Sequence, residues 1–135
     1  MMMVRCYLGP SQIEGLGVFS HVNIRKGALV WLFDPRFDSS FFTEDRDHVP
    51  AHFREFLDRH TFQHPTDPER IVLECDEGRF MNHADLPNVD MTNPARGVAL
   101  RDIAAGEELT RDYTQFAAQP RRPRTRSPSP IHAAE

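Results

Sequence analysis

No uninterrupted apolar stretch in this chain exceeds six residues; the longest runs from Ala28 to Phe33 and lies between Gly27 and Asp34. A membrane-spanning helix needs about 20 such residues, so that class is excluded and the elements must be short. Residues 4–8 and 17–21 flank a region holding Gly9, Pro10, Ser11 and Gly15, which predicts a hairpin. Residues 28–33 read as a strand buried on both faces. Residues 71–75, 97–101 and 108–113 read as further strands, the last two separated by Ala104-Ala105-Gly106. One helix is predicted over about 50–60: Pro50 suits a first turn, and Phe53, Phe56 and Leu57 share one face. Pro65 and Pro68 are expected to end it, and residues 34–49 read as irregular. The fold class is therefore mainly β, with small sheets and a single helix. Periodicity alone does not fix the topology.

The 135 residues suit one domain, with residues 1–117 forming it. Residues 118–135 read as a disordered tail, because a segment rich in Pro and Arg with few apolar groups cannot offset its ordering entropy. Ten Phe against two Tyr and one Trp predict a core built largely on phenyl rings. Two cysteines, Cys6 and Cys75, exclude a disulfide framework or a four-cysteine zinc site within the chain and read as buried, reduced thiols. The start, Met1-Met2-Met3-Val4-Arg5, lacks the order of a secretory signal, so a cytoplasmic protein is expected. Residues 1–120 carry 12 basic and 19 acidic side chains, while residues 121–135 carry four Arg and one Glu. An acidic body argues against specific nucleic-acid binding and for attraction of basic, lysine-bearing peptides.

Three segments carry the chemistry. They are Gly15-Leu16-Gly17-Val18-Phe19, then Arg79-Phe80-Met81-Asn82-His83-Ala84-Asp85-Leu86-Pro87-Asn88, then Gly106-Glu107-Glu108-Leu109-Thr110-Arg111-Asp112-Tyr113. In this order and spacing the set resembles the SET-domain protein-lysine methyltransferases, over roughly residues 4–116. The first glycine pair is not a dinucleotide fingerprint, since no third glycine and no helix pattern follow.

The resemblance implies a compact fold of small β-sheets, with one helix in an insert and a C-terminal segment threaded against the Asn82-His83 segment. No rule of chain topology would have proposed such threading. It also implies an enzyme that uses S-adenosyl-L-methionine to methylate a lysine side chain of a protein or peptide. Transfer from a sulfonium needs a neutral amine, in-line alignment and a dry channel, and no catalytic triad. By the resemblance Tyr113 is the catalytic residue, its hydroxyl near the transferring methyl. Gly15, Leu16, Gly17, Arg79, Asn82 and His83, with Tyr113, are the implied cofactor-binding residues. Met91 and Phe116 are the implied channel residues, and a homodimer completing the substrate groove is a hypothesis on the same ground.

Several positions depart from the larger members of that family. Ala84 and Asp85 stand where a Ser-Cys pair is common, flanking zinc-binding cysteine clusters are absent, and Tyr7 and Tyr113 are the only tyrosines. No metal is implied. Arg111, two residues before Tyr113, falls on the same face of a strand and would either repel a lysine or point past the sheet edge. An alternative is thus a catalytically weak or inactive SET-like module that binds the cofactor or basic peptides. A metal protein built on His48/His52 and His60/His64 is a third reading, weakened by Pro50 and Pro65. The segment 34–68 would frame the substrate groove, with Asp34, Asp38, Glu44, Asp45 and Asp47 attracting a basic peptide at long range.

Overall fold

The computed structural model describes residues 1–115. The predicted hairpin forms, its first strand two residues later and its second one residue earlier than expected: β1 (Cys6–Pro10) and β2 (Leu16–Ser20) pair antiparallel with Cys6 opposite Ser20. Then come β3 (Leu29–Leu32), β4 (Ser39–Phe42), a 3-10 turn (Thr43–His48) and helix α1 (Ala51–His60). They are followed by β5 (Thr61–Gln63), β6 (Arg70–Leu73) and a second 3-10 turn (Glu77–Phe80). The chain continues through β7 (Asn82–His83), β8 (Val89–Asp90), β9 (Arg96–Ala99) and β10 (Glu108–Arg111) to a last 3-10 turn (Tyr113–Gln115). No helix among the described residues is long and apolar enough to cross a membrane.

Two sheets result. The larger has the order β1-β2-β10-β8-β9-β3, with β7 also on β10, and the smaller is β4-β6-β5. Strand β10 is antiparallel to β2 but parallel to β7 and β8. It therefore lies against the first hairpin through one half and against the Asn82-His83 segment through the other.

The insert is more ordered than its sequence suggests. Residues 39–42 form a strand against β6, with Phe41 opposite Ile71. Helix α1 stops at His60, ahead of Pro65, because Thr61 turns extended and its hydroxyl donates to the Leu57 carbonyl at 2.6 Å. A β-branched residue that satisfies the last turn and starts β5 does both jobs. On α1 only Leu57 is buried; Phe53 is exposed and stacks on Phe56 with centroids 5.8 Å apart.

The core also departs from the phenyl expectation. Val18, Val30, Trp31, Val72, Met81, Val89, Met91 and Leu109 are fully buried, while Phe62 is the one buried phenylalanine among the described residues. Strands of four or five residues offer few inward positions, and close approaches fill them with small or flexible groups. A Cβ on Gly97 would lie 2.8 Å from Met91 Sδ and 2.9 Å from Val89 Cγ1, so β9 reaches β8 only as glycine. Trp31 packs edge-on to Phe62, as a core residue.

Two buried carboxylates tie the insert to the main sheet. Asp38 accepts the Asp34 and Cys75 amides at 2.9 and 3.0 Å. Glu74 accepts both terminal nitrogens of Arg111, at 3.0 and 2.8 Å, with the Glu74 side chain wholly buried and that of Arg111 4% exposed. Burial pulls the guanidinium down, but the charge and hydrogen bonds of Glu74 more than offset this and raise Arg111 above its ordinary value. Arg111 thus neither faces a substrate as a bare cation nor passes the sheet edge. It is half of an interior ion pair.

Removing one partner of such a pair leaves a buried charge, at a cost of about 3–5 kcal/mol. Glu74→Gln is expected to lower unfolding free energy by that amount in urea melts. The double variant Glu74→Met, Arg111→Met should recover most of the loss. A single-variant loss of less than about 1 kcal/mol would show that water reaches the pair.

Candidate functional site

The site begins at the turn between β1 and β2. The Ser11 amide donates to the Gly15 carbonyl at 2.8 Å, and Gly15 adopts a φ of 51°, a left-handed value that glycine takes without strain. Gly17 is required for a different reason: a Cβ there would collide with the Glu108 carboxylate. That carboxylate is the hub of the region. Its Oε1 accepts the Ser11 hydroxyl at 2.7 Å and Asn82 Nδ2 at 3.0 Å. Asn82 Nδ2 also reaches the Glu14 and Leu16 carbonyls, both at 3.1 Å. The Gly15-Leu16-Gly17 turn, Asn82 and Glu108 are thereby brought together from the three sequence motifs.

Asn88 sets the second half. Its side chain donates to the Glu108 carbonyl at 2.8 Å and accepts the Thr110 amide at 2.8 Å, imitating a strand neighbour of β10. Parallel pairing then sets Thr110 opposite Asn82 and Arg111 opposite His83. His83 Nδ1 accepts the Tyr113 amide at 3.1 Å, so in the neutral ring Nε2 holds the proton and donates to Asp85 at 2.9 Å. His83 is thus a bracket for the chain leaving β10. Asp112 is held below the usual carboxylate range, first by the Thr114 hydroxyl and then by its amide, with the neighbouring His83 adding to the effect.

Tyr113 lies just past the strand, in the 3-10 turn, rather than inside a strand extending to it as expected. Its hydroxyl donates to the Met81 carbonyl at 2.7 Å, and its ring lies 5.4 Å from that of His83. The phenol proton is committed to the backbone, so toward a further partner the oxygen acts as an acceptor. Arg79 is half-buried in the turn preceding Met81, and its carbonyl accepts His60 Nδ1 at 2.9 Å. His60, Glu108 and Asn88 thus join the site. An Asn and a Glu at fixed offsets within the motifs signalled the last two, whereas nothing in the sequence pairs His60 with Arg79.

Other expected residues lie elsewhere. Met91 is fully buried against Gly97 in the core, whereas Leu16 keeps its carbonyl in the site, on Asn82, and turns only its side chain to solvent. Phe116 and the tail lie outside the described residues. Asp34 and Asp38 are buried, so they brace the insert instead of presenting charge; Glu44, Asp45 and Asp47 are exposed. Arg36 bonds hold the Asp34 carboxyl down at about 2. His48 lies before α1 and His64 after it, so neither pair shares a helix face. Among the described residues no group of three or more His, Cys, Asp or Glu could hold a metal ion.

The cysteines differ from expectation in exposure. Cys75 is exposed and Cys6 half-buried, with Cys6 Sγ donating to Glu77 at 3.1 Å. Burial, followed by the Glu77 hydrogen bond and charge, pushes the Cys6 thiol up to about 12; burial and the Asp38 carboxylate push Cys75 up to about 11. Near pH 8 both thiols stay protonated in the folded chain, whereas an unfolded thiol with a pKa of about 8.5 is partly thiolate. Iodoacetamide at pH 8 should therefore label the native protein at least about tenfold more slowly than the urea-unfolded chain, accelerating above pH 9. Equal rates at pH 8 would contradict the acidic surroundings described.

A second outcome follows from the Glu108 hub. Gly17→Ala should displace the carboxylate and release Asn82 and Ser11, lowering stability by about 1–3 kcal/mol through lost charge-assisted bonds. Urea melts of Gly17→Ala, with and without Glu108→Ala, would show non-additive losses. Additive ones would mean that the two groups do not meet.

Comparison with known proteins agrees with this geometry. The SET domain family profile matches residues 15–114. Among solved structures, a humanized mutant of the Chaetomium thermophilum Polycomb Repressive Complex 2 bound to the inhibitor GSK126 is 25% identical, with a TM-score of 0.60 over 86% of this chain. The same complex in an autoinhibited conformation bound to S-adenosylmethionine is 23% identical, with a TM-score of 0.61 over 86% of this chain. This chain spans 16% of each of those two partners. A candidate histone methyltransferase of Plasmodium falciparum is 22% identical with a TM-score of 0.58, over 83% of this chain and 95% of that one. A comparison with curated protein sequences returns no match. Three motifs converge on one strand, and the profile covers most of the chain: this protein belongs to the SET domain family, a family of protein-lysine methyltransferases.

Proposed function

We propose that this chain transfers a methyl group from S-adenosyl-L-methionine to a lysine side chain of a protein substrate. The observation that carries the reading is the Tyr113 hydroxyl donating to the Met81 carbonyl at 2.7 Å, directly beside Asn82 and His83. Two backbone-anchored segments thereby hold a phenol oxygen as an acceptor at their meeting point. Such an acceptor favours a group with positive charge on its carbon and orients an incoming amine.

The residues present fit the cofactor. The outer face of Gly15 is open, since a Cβ there meets nothing within 4 Å. Asn82 has committed its amide nitrogen to the turn and to Glu108, so what it offers a ligand is its carbonyl oxygen, an acceptor suited to an ammonium or hydroxyl. Arg79, half-buried three residues before Asn82, supplies positive charge for a carboxylate. When bound, the cofactor supplies an electrophilic methyl whose leaving group departs as a neutral thioether.

The chain's own residues then hold and orient. The substrate ammonium must first give its proton to solvent, because only the neutral amine has a lone pair. Tyr113 fixes the direction of approach, and alignment of this kind contributes several kcal/mol, on the order of effective-molarity terms. Arg111 does not oppose the amine, since its charge is met by Glu74. The exposed Glu44, Asp45 and Asp47 give the insert a surface that attracts a basic peptide.

Incubation of the full chain with labelled cofactor and a cell lysate is expected to label lysines of a partner protein. The chain holds a single lysine, Lys26, so self-labelling on lysine is confined to one position that intact mass can read. Tyr113→Phe should lower transfer at least about tenfold, with the cofactor Kd measured by calorimetry within about threefold of wild type. An unchanged rate would remove Tyr113 from the reaction.

A further inference from the structure

The last residue of helix α1 enters the transfer site from the insert. His60 Nδ1 lies 2.9 Å from the Arg79 carbonyl oxygen. A carbonyl only accepts, so the ring nitrogen must carry the hydrogen and donate it. The ring is also clasped between two phenylalanines, 4.7 Å from Phe56 on the same helix and 4.9 Å from Phe80. Aromatic neighbours at these separations fix a ring's orientation as well as burying it.

What this clasp holds is short and consequential. Arg79 and Phe80 lead directly into Met81, whose carbonyl receives the Tyr113 hydroxyl, and then into Asn82. The Met81 amide bonds back to the Gly78 carbonyl at 3.0 Å, and the Asp76 side chain caps the turn through the Gly78 amide at 3.1 Å. The 3-10 turn is thus fastened at its start by Asp76 and along its body by His60. Asn82, held by β10 and Glu108, fixes the Met81 carbonyl from one side, so on the turn side its freedom is set by how firmly Arg79 and Phe80 are held. A carbonyl that rotates by a few tens of degrees takes the Tyr113 oxygen with it, and misplacement of about 1 Å at a transfer site costs on the order of 100-fold in rate.

We infer that His60 is a positioning residue for Tyr113: its ring N–H fixes the Arg79 carbonyl, and through the Arg79–Met81 segment it holds the phenol oxygen where the methyl is transferred. The inference rests on the methyltransferase reading for its rate consequence but not for its structural one. It also assigns α1 a task beyond framing the substrate groove, because helix and transfer site become one mechanical unit. Movement of α1 when a substrate docks would be felt at Tyr113.

The test uses the full chain with 13C-labelled tyrosine, in which Tyr7 and Tyr113 are the only two ring signals. Tyr7 lies on β1, stacked 5.5 Å from Phe19, and serves as an internal control for folding. His60→Phe keeps a ring between Phe56 and Phe80 but has no donor; His60→Asn places an amide N–H near the position of Nδ1. In His60→Phe the Tyr113 signal should move and the Tyr7 signal stay, with kcat lowered at least about tenfold and the cofactor Kd unchanged. His60→Asn should restore the Tyr113 signal and most of kcat. A stationary Tyr113 signal in His60→Phe, or no restoration by His60→Asn, overturns the assignment. If the wild type transfers no methyl at all, the functional reading fails, while the two ring signals still decide whether His60 positions Tyr113.

Discussion

Strand β10 has to satisfy four sets of partners within four residues, and the site exists only where all four are met. Glu108 turns to the first hairpin, where its carboxylate gathers Ser11 and Asn82 and occupies the space a Gly17 side chain would take. Leu109 enters the core, fully buried. Thr110 gives its amide to Asn88 and pairs with Asn82. Arg111 passes into the interior and meets Glu74. Because the partners of Glu108, Thr110 and Arg111 are fixed by polar contacts of defined direction, a slip of one residue would put a carboxylate in the core or, in the other direction, a leucine on the turn. The register of one short strand thus sets where Tyr113 emerges.

The Arg111–Glu74 pair has a cost and a use. Burying both charges is expensive, and a pair of well-packed apolar residues in their place would be no less stable. Its value is directional. It ties β10 to the chain just after β6, so the insert and the candidate site share one anchor. Asp38 makes a parallel tie by accepting the Asp34 and Cys75 amides, which closes the insert at both of its ends. Helix α1 is framed by these anchors, and its last residue bonds the Arg79 carbonyl.

Much of this was legible in the residues. Glycine-marked turns and alternating strands give the hairpin, and the three motifs give the convergence of Gly15, Asn82, His83 and Tyr113. The limits are equally physical. Glu74 and Arg111 are 37 positions apart, and nothing local marks either as buried, since a strand alternates its faces without saying which charge has a partner. Asp34 and Asp38 read as solvated acids because sequence cannot show which carboxylate will find backbone amides. Residues 39–42 read as irregular, and residues 61–63, between the helix and Pro65, carry no strand signal, because strands of three or four residues have too short a period to register. Phenylalanines look like core by composition, yet Phe37, Phe42 and Phe53 are exposed, and the space inside short strands goes to valine and methionine.

Three separated motifs close on one another at the end of β10, and the proposed function requires that they seat a sulfonium cofactor there. Isothermal titration of the folded full chain with S-adenosyl-L-methionine tests it most directly. A saturable heat at one equivalent per chain, abolished when Glu108 and Asn82 are both replaced by alanine, is the result this account predicts. No heat from wild-type protein with a cooperative unfolding transition would contradict it.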